Sequence, residues 1–321
     1  MLYSDNEKIV SDMTPWEADA HQDADGVRSF GAIPRPWDTH PQGCYAGEVG
    51  VHAINDLPEI NPADFPGMIA ELEQSKSRLS DFRMRGNNGQ MIPSRDQNGR
   101  GYCWRHSGTS AHLAIRARDE QPYLDLSAYA GACRIKQYRD EGGWGAQGVD
   151  DIFTFGDPTS DFWPQRAVSR QYDTPATWEN AKKQRFTEGF IDLGSPQYDR
   201  SMTFNQMITC LLCRIPVVVD FNWWSHSVCA IDAVNGTSLY GKLRDARSGK
   251  LVTLTELEIM FAINDPVLAG IAIRIWNSWS DTWSENGMGI IAGAKARPDG
   301  ATAPRVATLS VGNKKPAVIA V

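Results

Sequence analysis

Residues 97–107 read QNGRGYCWRHS, and this stretch is the most informative part of the sequence about the fold. Its first half is rich in Gly and Asn, which is typical of a loop. The run from Cys103 to Arg118 has helical composition, with small or apolar residues at roughly helical spacing. Cys103 is therefore predicted to lie at a helix N-terminus. The unsatisfied N–H groups and the positive end of the helix dipole favour a thiolate there, the nucleophilic form of cysteine.

Gln97 lies six residues before Cys103, so its side-chain amide could point at an oxyanion. A lone cysteine is more often a small buried hydrophobic residue than a nucleophile, so support is needed from elsewhere in the chain. Two segments supply it. In WSHSVCAIDAV, residues 224–234, a histidine enters an apolar strand-like run, and in IAIRIWNSWSDTWSENGMGII, residues 271–291, an apolar strand ends in Asn-Ser-Trp.

With Gln97, Cys103, His226 and Asn277 in this order, the chain resembles the papain-like cysteine peptidases of the C1 family. The resemblance runs from about residue 81 to about residue 291, and the NSW…W…ENG segment is its most specific part. It implies an α+β fold with two lobes, one helical and one an antiparallel β-barrel-like lobe, with the active-site cleft between them.

Composition and the resemblance together predict how the chain is divided. Residues 1–75 are rich in Pro, Gly and acidic residues, and this composition predicts a largely irregular N-terminal arm. Residues 76–175 would form the helical lobe that carries the nucleophile. Residues 176–321 would form the β lobe that carries the histidine and the asparagine, followed by a C-terminal tail.

The chemistry implied by the resemblance is peptide hydrolysis by a cysteine-type endopeptidase. Cys103 would attack the peptide carbonyl to form a thioester, and His226 would act first as base and then as acid toward the leaving amine. Asn277 would orient the imidazole, and Gln97 would hold the oxyanion together with the backbone N–H of Cys103. The substrate is a peptide or protein, and neither a metal nor an organic cofactor is required.

His226 is chosen among six histidines. Three of the others lie in the predicted arm, where a histidine is a surface residue by default. His106 and His112 share the predicted helix with Cys103, and a residue three positions on along a helix cannot reach in front of the thiolate. His226 enters an apolar strand between two serines, as the family pattern expects.

Gly142, Gly143 and Trp144 form the candidate substrate-binding segment. In the family, a glycine pair at this place lets a substrate backbone approach and pair in strand fashion, because a side chain would block it. Trp144 would wall a substrate pocket. Without the other motifs, the glycine pair would be interpreted as a turn and the tryptophan as core. Three further tryptophans are expected to support the site: Trp104, Trp279 and Trp283.

The chain departs from the family at several positions. Arg100 and Asp140 stand where relatives from oxidising compartments have two half-cystines, and an exposed ion pair is expected between them. Ser280 and Ser284 stand where the family usually has glycine. Arg105 replaces a small residue, so that it would either depress the pKa of the thiolate or face solvent.

Composition limits the partners and the compartment. The chain of 321 residues is 41% hydrophobic and 22% charged, which is ordinary for a globular protein. A net charge of −7 argues against a nucleic-acid partner. A membrane partner is not expected either, because no apolar run is long enough to span a bilayer, and the N-terminus lacks the pattern of a secretory signal. The six cysteines suggest no disulfide framework, so reduced thiols and a cytoplasmic or particle-borne protein are expected.

The arm leaves two functions open. Papain-like enzymes often carry an inhibitory prosegment built on a long helix, but only residues 64–79 read as a short amphipathic helix here. An attachment arm that contacts assembly partners is therefore favoured over an inhibitor. The alternative to a peptidase is accordingly a papain-fold structural or assembly protein, for example a phage virion component. A transglutaminase or a cell-wall amidase comes third, because those commonly place Asp or His where this chain has Asn277.

Overall fold

The computed structural model describes residues 30–48, 60–86, 89–193, 200–236 and 270–307, and the backbone of residues 8–10. Within them, the helices are α1 Phe65–Gln74, α2 Leu79–Arg85, α3 Cys103–Arg118, α4 Ala128–Lys136, α5 Gly145–Thr154, α6 Pro175–Ala181 and α7 Arg200–Leu212. The strands are β1 Lys8–Val10, β2 Phe190–Asp192, β3 Val217–Phe221, β4 His226–Asn235, β5 Ile271–Trp276, β6 Met288–Ile291 and β7 Gly300–Pro304.

The strands form one sheet in the order β1-β6-β5-β4-β3-β7-β2. Only β1 and β6 pair in parallel among the described strands, and every other neighbouring pair is antiparallel. Helices and a largely antiparallel sheet together confirm the predicted α+β class.

Alternate residues of β3 explain how the sheet holds helices on both faces. Val217 and Val219 belong to the hydrophobic core shared with α1 and α7, whereas Val218 belongs to the core shared with α3 and α5. Successive side chains of a strand point to opposite faces, so one apolar strand serves both cores. Burying each of these valines stabilises the fold by about 1.5–3 kcal/mol. The consequence is that α3 is fixed against the sheet, where the hydroxyl of Ser107 lies 2.9 Å from that of Ser227 near the start of β4.

Helix α3 is buried along almost its whole length, from Cys103 to Ala117. Such depth requires small residues where it meets α5. A Cβ at Gly148 would lie 2.4 Å from the carbonyl oxygen of Trp104, so only glycine permits this approach. The close packing fixes the N-terminus of α3, and with it the position of Cys103.

Helices occupy part of the second half of the chain where the sequence pattern favours loops. The aromatic and turn residues between positions 151 and 207 predict a region rich in loops, but α6 and the first half of α7 lie there. The polar residues Ser201, Thr203 and Asn205 obscure the helical period of α7. The sequence also predicts strands at 238–243 and 251–254 and a short helix at 255–262, and these segments lie outside the described residues.

Candidate active site

Cys103 is the first residue of α3 and is fully buried. Backbone N–H groups of Ser227 and Gly31 are directed at its sulfur, and these contacts favour the thiolate. Burial outweighs them and raises the pKa of Cys103 to about 12. The sulfur is therefore a neutral thiol in this state, in contrast to the thiolate expected from its place at a helix N-terminus.

His226 and Asn277 contact each other at the ends of adjacent strands. Nε2 of His226 lies 2.8 Å from Oδ1 of Asn277, and the same Oδ1 accepts the backbone N–H of Ser278 at 2.7 Å. An amide oxygen accepts hydrogen bonds, so Nε2 carries the proton and Nδ1 has a lone pair. Burial lowers the pKa of His226 to about 4, although the Asn277 bond opposes this. The ring is thus a neutral base in the tautomer that leaves Nδ1 free to take a proton.

Cys103 and His226 form no hydrogen bond with each other, although proton transfer between them was expected from the sequence. Nδ1 of His226 is buried and has no hydrogen-bond partner among the described residues. The sulfur instead receives backbone N–H groups, and both members of the pair are neutral because they are shielded from water.

Aromatic rings enclose the imidazole. Trp279 stacks on His226 with ring centroids 4.5 Å apart, and Trp224 meets it edge-on at 4.8 Å. Trp283 packs against Trp279 at 5.9 Å. These rings exclude water from the His226–Asn277 bond, which strengthens it in the low-dielectric surroundings.

Gln97 is joined to the segment that follows Asn277. Its backbone N–H donates to the carbonyl of Ser278 at 2.9 Å, and its Oε1 accepts from the Ser278 hydroxyl at 2.6 Å. Its side-chain amide donates to the carbonyl of Arg100 at 2.7 Å. The amide therefore helps to hold its own loop, and its expected role toward an oxyanion in front of Cys103 stays a prediction.

Asp140 stabilises the loop between Gln97 and Cys103. The expected pair between Arg100 and Asp140 is present at 3.8 Å, with both side chains 41% exposed. The stronger contact is one that sequence did not indicate: the Asp140 carboxylate accepts the backbone N–H of Gly101 at 2.7 Å. The loop is thus held by a charge-assisted hydrogen bond more than by the ion pair.

Asp140→Ala is expected to destabilise the protein by about 1 kcal/mol because it removes that hydrogen bond. Arg100→Ala is the matched control and should cost less than about 0.5 kcal/mol, since an exposed pair contributes little. Urea denaturation of both variants measures the difference. Equal losses of unfolding free energy in the two variants would mean that the ion pair, and not the hydrogen bond to Gly101, stabilises the loop.

The structure explains two positions at which the sequence differs from the pattern that it resembles. Arg105 is fully buried and points neither to Cys103 nor to solvent, because it pairs with Asp151 at 3.1 Å and with Asp157 at 2.7 Å. Ser280 and Ser284 have φ of 62° and 53°, so both serines adopt the left-handed conformation that glycine normally supplies.

Residues 30–33 occupy the space in front of the nucleophile. Gly143 donates its backbone N–H to the carbonyl of Gly31 at 2.9 Å and accepts that of Ile33 at 2.9 Å. The backbone N–H of Ala32 donates to the carbonyl of Ser225 at 3.0 Å. Phe30 packs edge-on against His226 at 6.4 Å. The segment therefore covers Cys103 and His226 together.

The segment approaches so closely that only glycines fit. A Cβ at Gly142 would lie 2.7 Å from the carbonyl oxygen of Gly31, and one at Gly31 would lie 2.1 Å from that of Gly101. Trp144, expected to wall a pocket, is itself covered: its indole N–H donates to the Tyr45 hydroxyl. The glycine pair thus takes a peptide backbone in strand fashion, here one from the same chain.

Sequence reasoning missed this docking of residues 30–48. A signal was present in GAIPRPW, residues 31–37, because a residue before proline is biased to the extended conformation. Ile33 and Arg35 both precede proline, and an extended chain is what a cleft accommodates.

The described residues contain no group of three or more His, Cys, Asp or Glu side chains placed to hold a metal ion. All six cysteines are free thiols. None of the described helices is long and apolar enough to cross a membrane.

No protein-family model matches the sequence, and no curated protein matches it. Among solved structures, the chain is similar to xylellain, a cysteine protease from Xylella fastidiosa, with 15% identity over 87% of this chain and 97% of that chain and a TM-score of 0.49. It is also similar to digestive procathepsin L 3 of Tenebrio molitor, with 14% identity over 76% and 90% of the two chains and a TM-score of 0.46. A third similar structure is recombinant stem bromelain precursor, with 14% identity over 82% and 74% and a TM-score of 0.45.

Proposed function

We propose that this protein is a cysteine peptidase with a papain-like, two-lobed cleft. Cys103 is the nucleophile, His226 the base and acid, Asn277 the residue that orients the imidazole, and Gln97 a donor to the oxyanion. One observation carries the proposal: a neutral imidazole, held through Nε2 by Asn277, has an unpartnered Nδ1 in the same buried site as a cysteine at a helix N-terminus.

The reaction starts when a peptide replaces residues 30–33. Nδ1 of His226 takes the thiol proton, and the Cys103 sulfur forms a bond to the substrate carbonyl carbon. The oxygen that becomes negative is stabilised by the backbone N–H of Cys103 and by the Gln97 amide, which exchanges its bond to Arg100 for one to the oxyanion.

Collapse of that intermediate breaks the carbon–nitrogen bond, and His226 returns its proton to the leaving amine. Water then attacks the thioester carbon while His226 accepts a proton from it. The second collapse breaks the carbon–sulfur bond, so that the thiol and the neutral imidazole are restored. Atoms and charge balance without a cofactor.

We further propose that the arm inhibits the enzyme, the alternative that composition did not favour. Residues 30–33 occupy the glycine track, which is the backbone of Gly142 and Gly143, and they shield Cys103 and His226 from water. Shielding keeps the thiol and the imidazole neutral, because a buried charge is costly. Peptide access and formation of the ion pair then both require that the segment leaves.

Active-site labelling tests the peptidase proposal. A peptidyl epoxide and iodoacetamide are applied to the Gly31→Ala chain, in which a Cβ 2.1 Å from the backbone oxygen of Gly101 prevents residues 30–33 from covering Cys103, and the modified residue is located by mass spectrometry. The proposal expects the epoxide on Cys103 and not on the buried Cys210 or Cys229, together with turnover of unstructured peptides. Labelling without any turnover would favour the structural or assembly protein.

Docking of the arm should weaken as pH rises from about 5 to about 8. Burial, and next the charge of Asp192, raise the pKa of Glu48 from 4.5 to about 7 in the docked state. Between these two values the docked arm keeps a proton on Glu48 that the free arm releases. Docking is therefore fully stable below pH 4.5, the ordinary pKa of Glu48, and this stability is lost as pH rises through about 7, the pKa in the docked state.

A fluorine label on the exposed thiol of Cys44 reports docked and released populations by NMR. Glu48→Gln is the control, and it should reduce the pH dependence because the titrating group is removed. A docked population that grows with pH would contradict the expectation.

A further inference from the structure

Two buried carboxylates, those of Asp192 and Asp220, lie beside the glycine track that holds residues 30–33, and together they form an acidic pocket. Asp192 ends β2 and Asp220 lies in β3, and β7 between them pairs Thr302 with the first and Gly300 with the second. Paired residues point to the same face and Thr302 lies two positions from Gly300, so both carboxylates share one face. A Cβ at Gly300 would lie 3.0 Å from the Asp220 carboxylate, so glycine keeps the space open.

Asp220 connects this pocket to the glycine pair. Its carboxylate accepts the backbone N–H of Gly145, the first residue of α5, at 2.8 and 3.1 Å from its two oxygens. Gly145 follows Trp144 and the glycine pair directly. Burial raises the pKa of Asp220 to about 6, the charge of Asp192 adds to the rise, and that of Arg35 opposes it. Two buried carboxylates so placed favour a cation.

Arg35 of the arm supplies such a cation. It forms an ion pair with Asp192, and the two side chains are only 5% and 1% exposed. Its Nε and Nη2 donate to the carbonyls of His40 and Pro41 at 2.7 and 2.8 Å, and Tyr45 lies 5.3 Å from the guanidinium. A guanidinium is thus accommodated next to the peptide track, on the same segment that pairs with Gly143.

We propose that the pocket of Asp192 and Asp220 recognises an arginine or lysine side chain of a peptide substrate, and that Arg35 occupies it while the arm is docked. The inference rests on the proposed peptidase function, because a substrate reaches the pocket along the backbone track at Gly143. A basic side chain neutralises the two carboxylates, whereas an apolar one desolvates them without counter-charge.

The test measures binding, so it does not depend on turnover. The full chain carries Gly31→Ala and Arg35→Ala to free the track and the pocket, and Cys103→Ala to prevent cleavage. Fluorescent peptides with Arg, Lys, norleucine or Glu at one of four consecutive positions are titrated by anisotropy. At one position, the Arg peptide is expected to bind at least about tenfold more tightly than the norleucine peptide.

Asp192→Asn should reduce that preference to less than about threefold, because the charge of the ion pair is removed. Asp161→Asn is the matched control, since Asp161 is an exposed loop carboxylate away from the track, and it should preserve the preference. Asp220→Asn is a second variant that removes the charge but keeps an oxygen that can accept the backbone N–H of Gly145. Thermal melting verifies that each variant is folded.

The proposal is overturned if no position favours Arg by more than about threefold, or if the preference survives in both Asp192→Asn and Asp220→Asn. The same peptides are also incubated with the Gly31→Ala, Arg35→Ala chain that retains Cys103. Lack of cleavage there rejects the peptidase function, while the binding result decides the pocket separately.

Discussion

Cys103→Ala is expected to lower kcat/KM for peptide hydrolysis by at least about 10³-fold, because no other group can form the thioester. The assay uses the Gly31→Ala background, in which the track is open. Cys229→Ala is the matched control: Cys229 is also a fully buried cysteine, but it lies in the sheet core, and its loss should affect stability more than turnover. Full activity of Cys103→Ala would mean that the nucleophile lies elsewhere.

Asn277→Ala should reduce activity less, by about 10- to 100-fold, because Asn277 orients the imidazole and takes no part in bond making. The variant leaves Nε2–H of His226 without its acceptor, so the tautomer and the ring orientation are no longer fixed. A loss as large as that of Cys103→Ala would assign Asn277 more than an orienting role.

Several local features of the site could be predicted from the sequence. Composition and spacing predicted that a helix starts at Cys103 and that a strand ends before Asn277, and both elements have these bounds in the structure. The resemblance predicted that His226 and Asn277 contact each other, and they do so because antiparallel pairing brings Cys229 of β4 opposite Trp276 of β5. Periodicity and motif spacing therefore suffice where neighbouring strands set the geometry.

Other features depend on contacts that no local pattern encodes. The charge of Arg105 is placed by Asp151 and Asp157, which lie 46 and 52 positions later and are buried with it. Residues 31–33 dock through backbone hydrogen bonds, which leave no signature of residue type beyond glycine and proline. The protonation states of Cys103 and His226 follow from that docking, so sequence predicted a thiolate at Cys103, whereas the covered site favours a neutral thiol and a neutral imidazole.

Gly31→Ala is expected to open the site and to raise the rate at which iodoacetamide alkylates Cys103 by about 10- to 100-fold. A Cβ at Gly31 would lie 2.1 Å from the backbone oxygen of Gly101, and backbone cannot yield as a flexible side chain can. Overpacking of this kind costs about 1–3 kcal/mol, which shifts the docking equilibrium toward the released arm. Alkylation located by mass spectrometry then reports the open population.

Gly67→Ala is the matched control in the same half of the chain, because a Cβ at this position in α1 meets nothing within 4 Å. It should leave the alkylation rate unchanged and stabilise α1 slightly, since alanine favours a helix over glycine. If Gly31→Ala also left the rate unchanged while thermal melting showed a folded protein, residues 30–33 would not limit access to Cys103. The arm would then contact partners rather than inhibit, and the low reactivity of the thiol would have to come from the enzyme core itself.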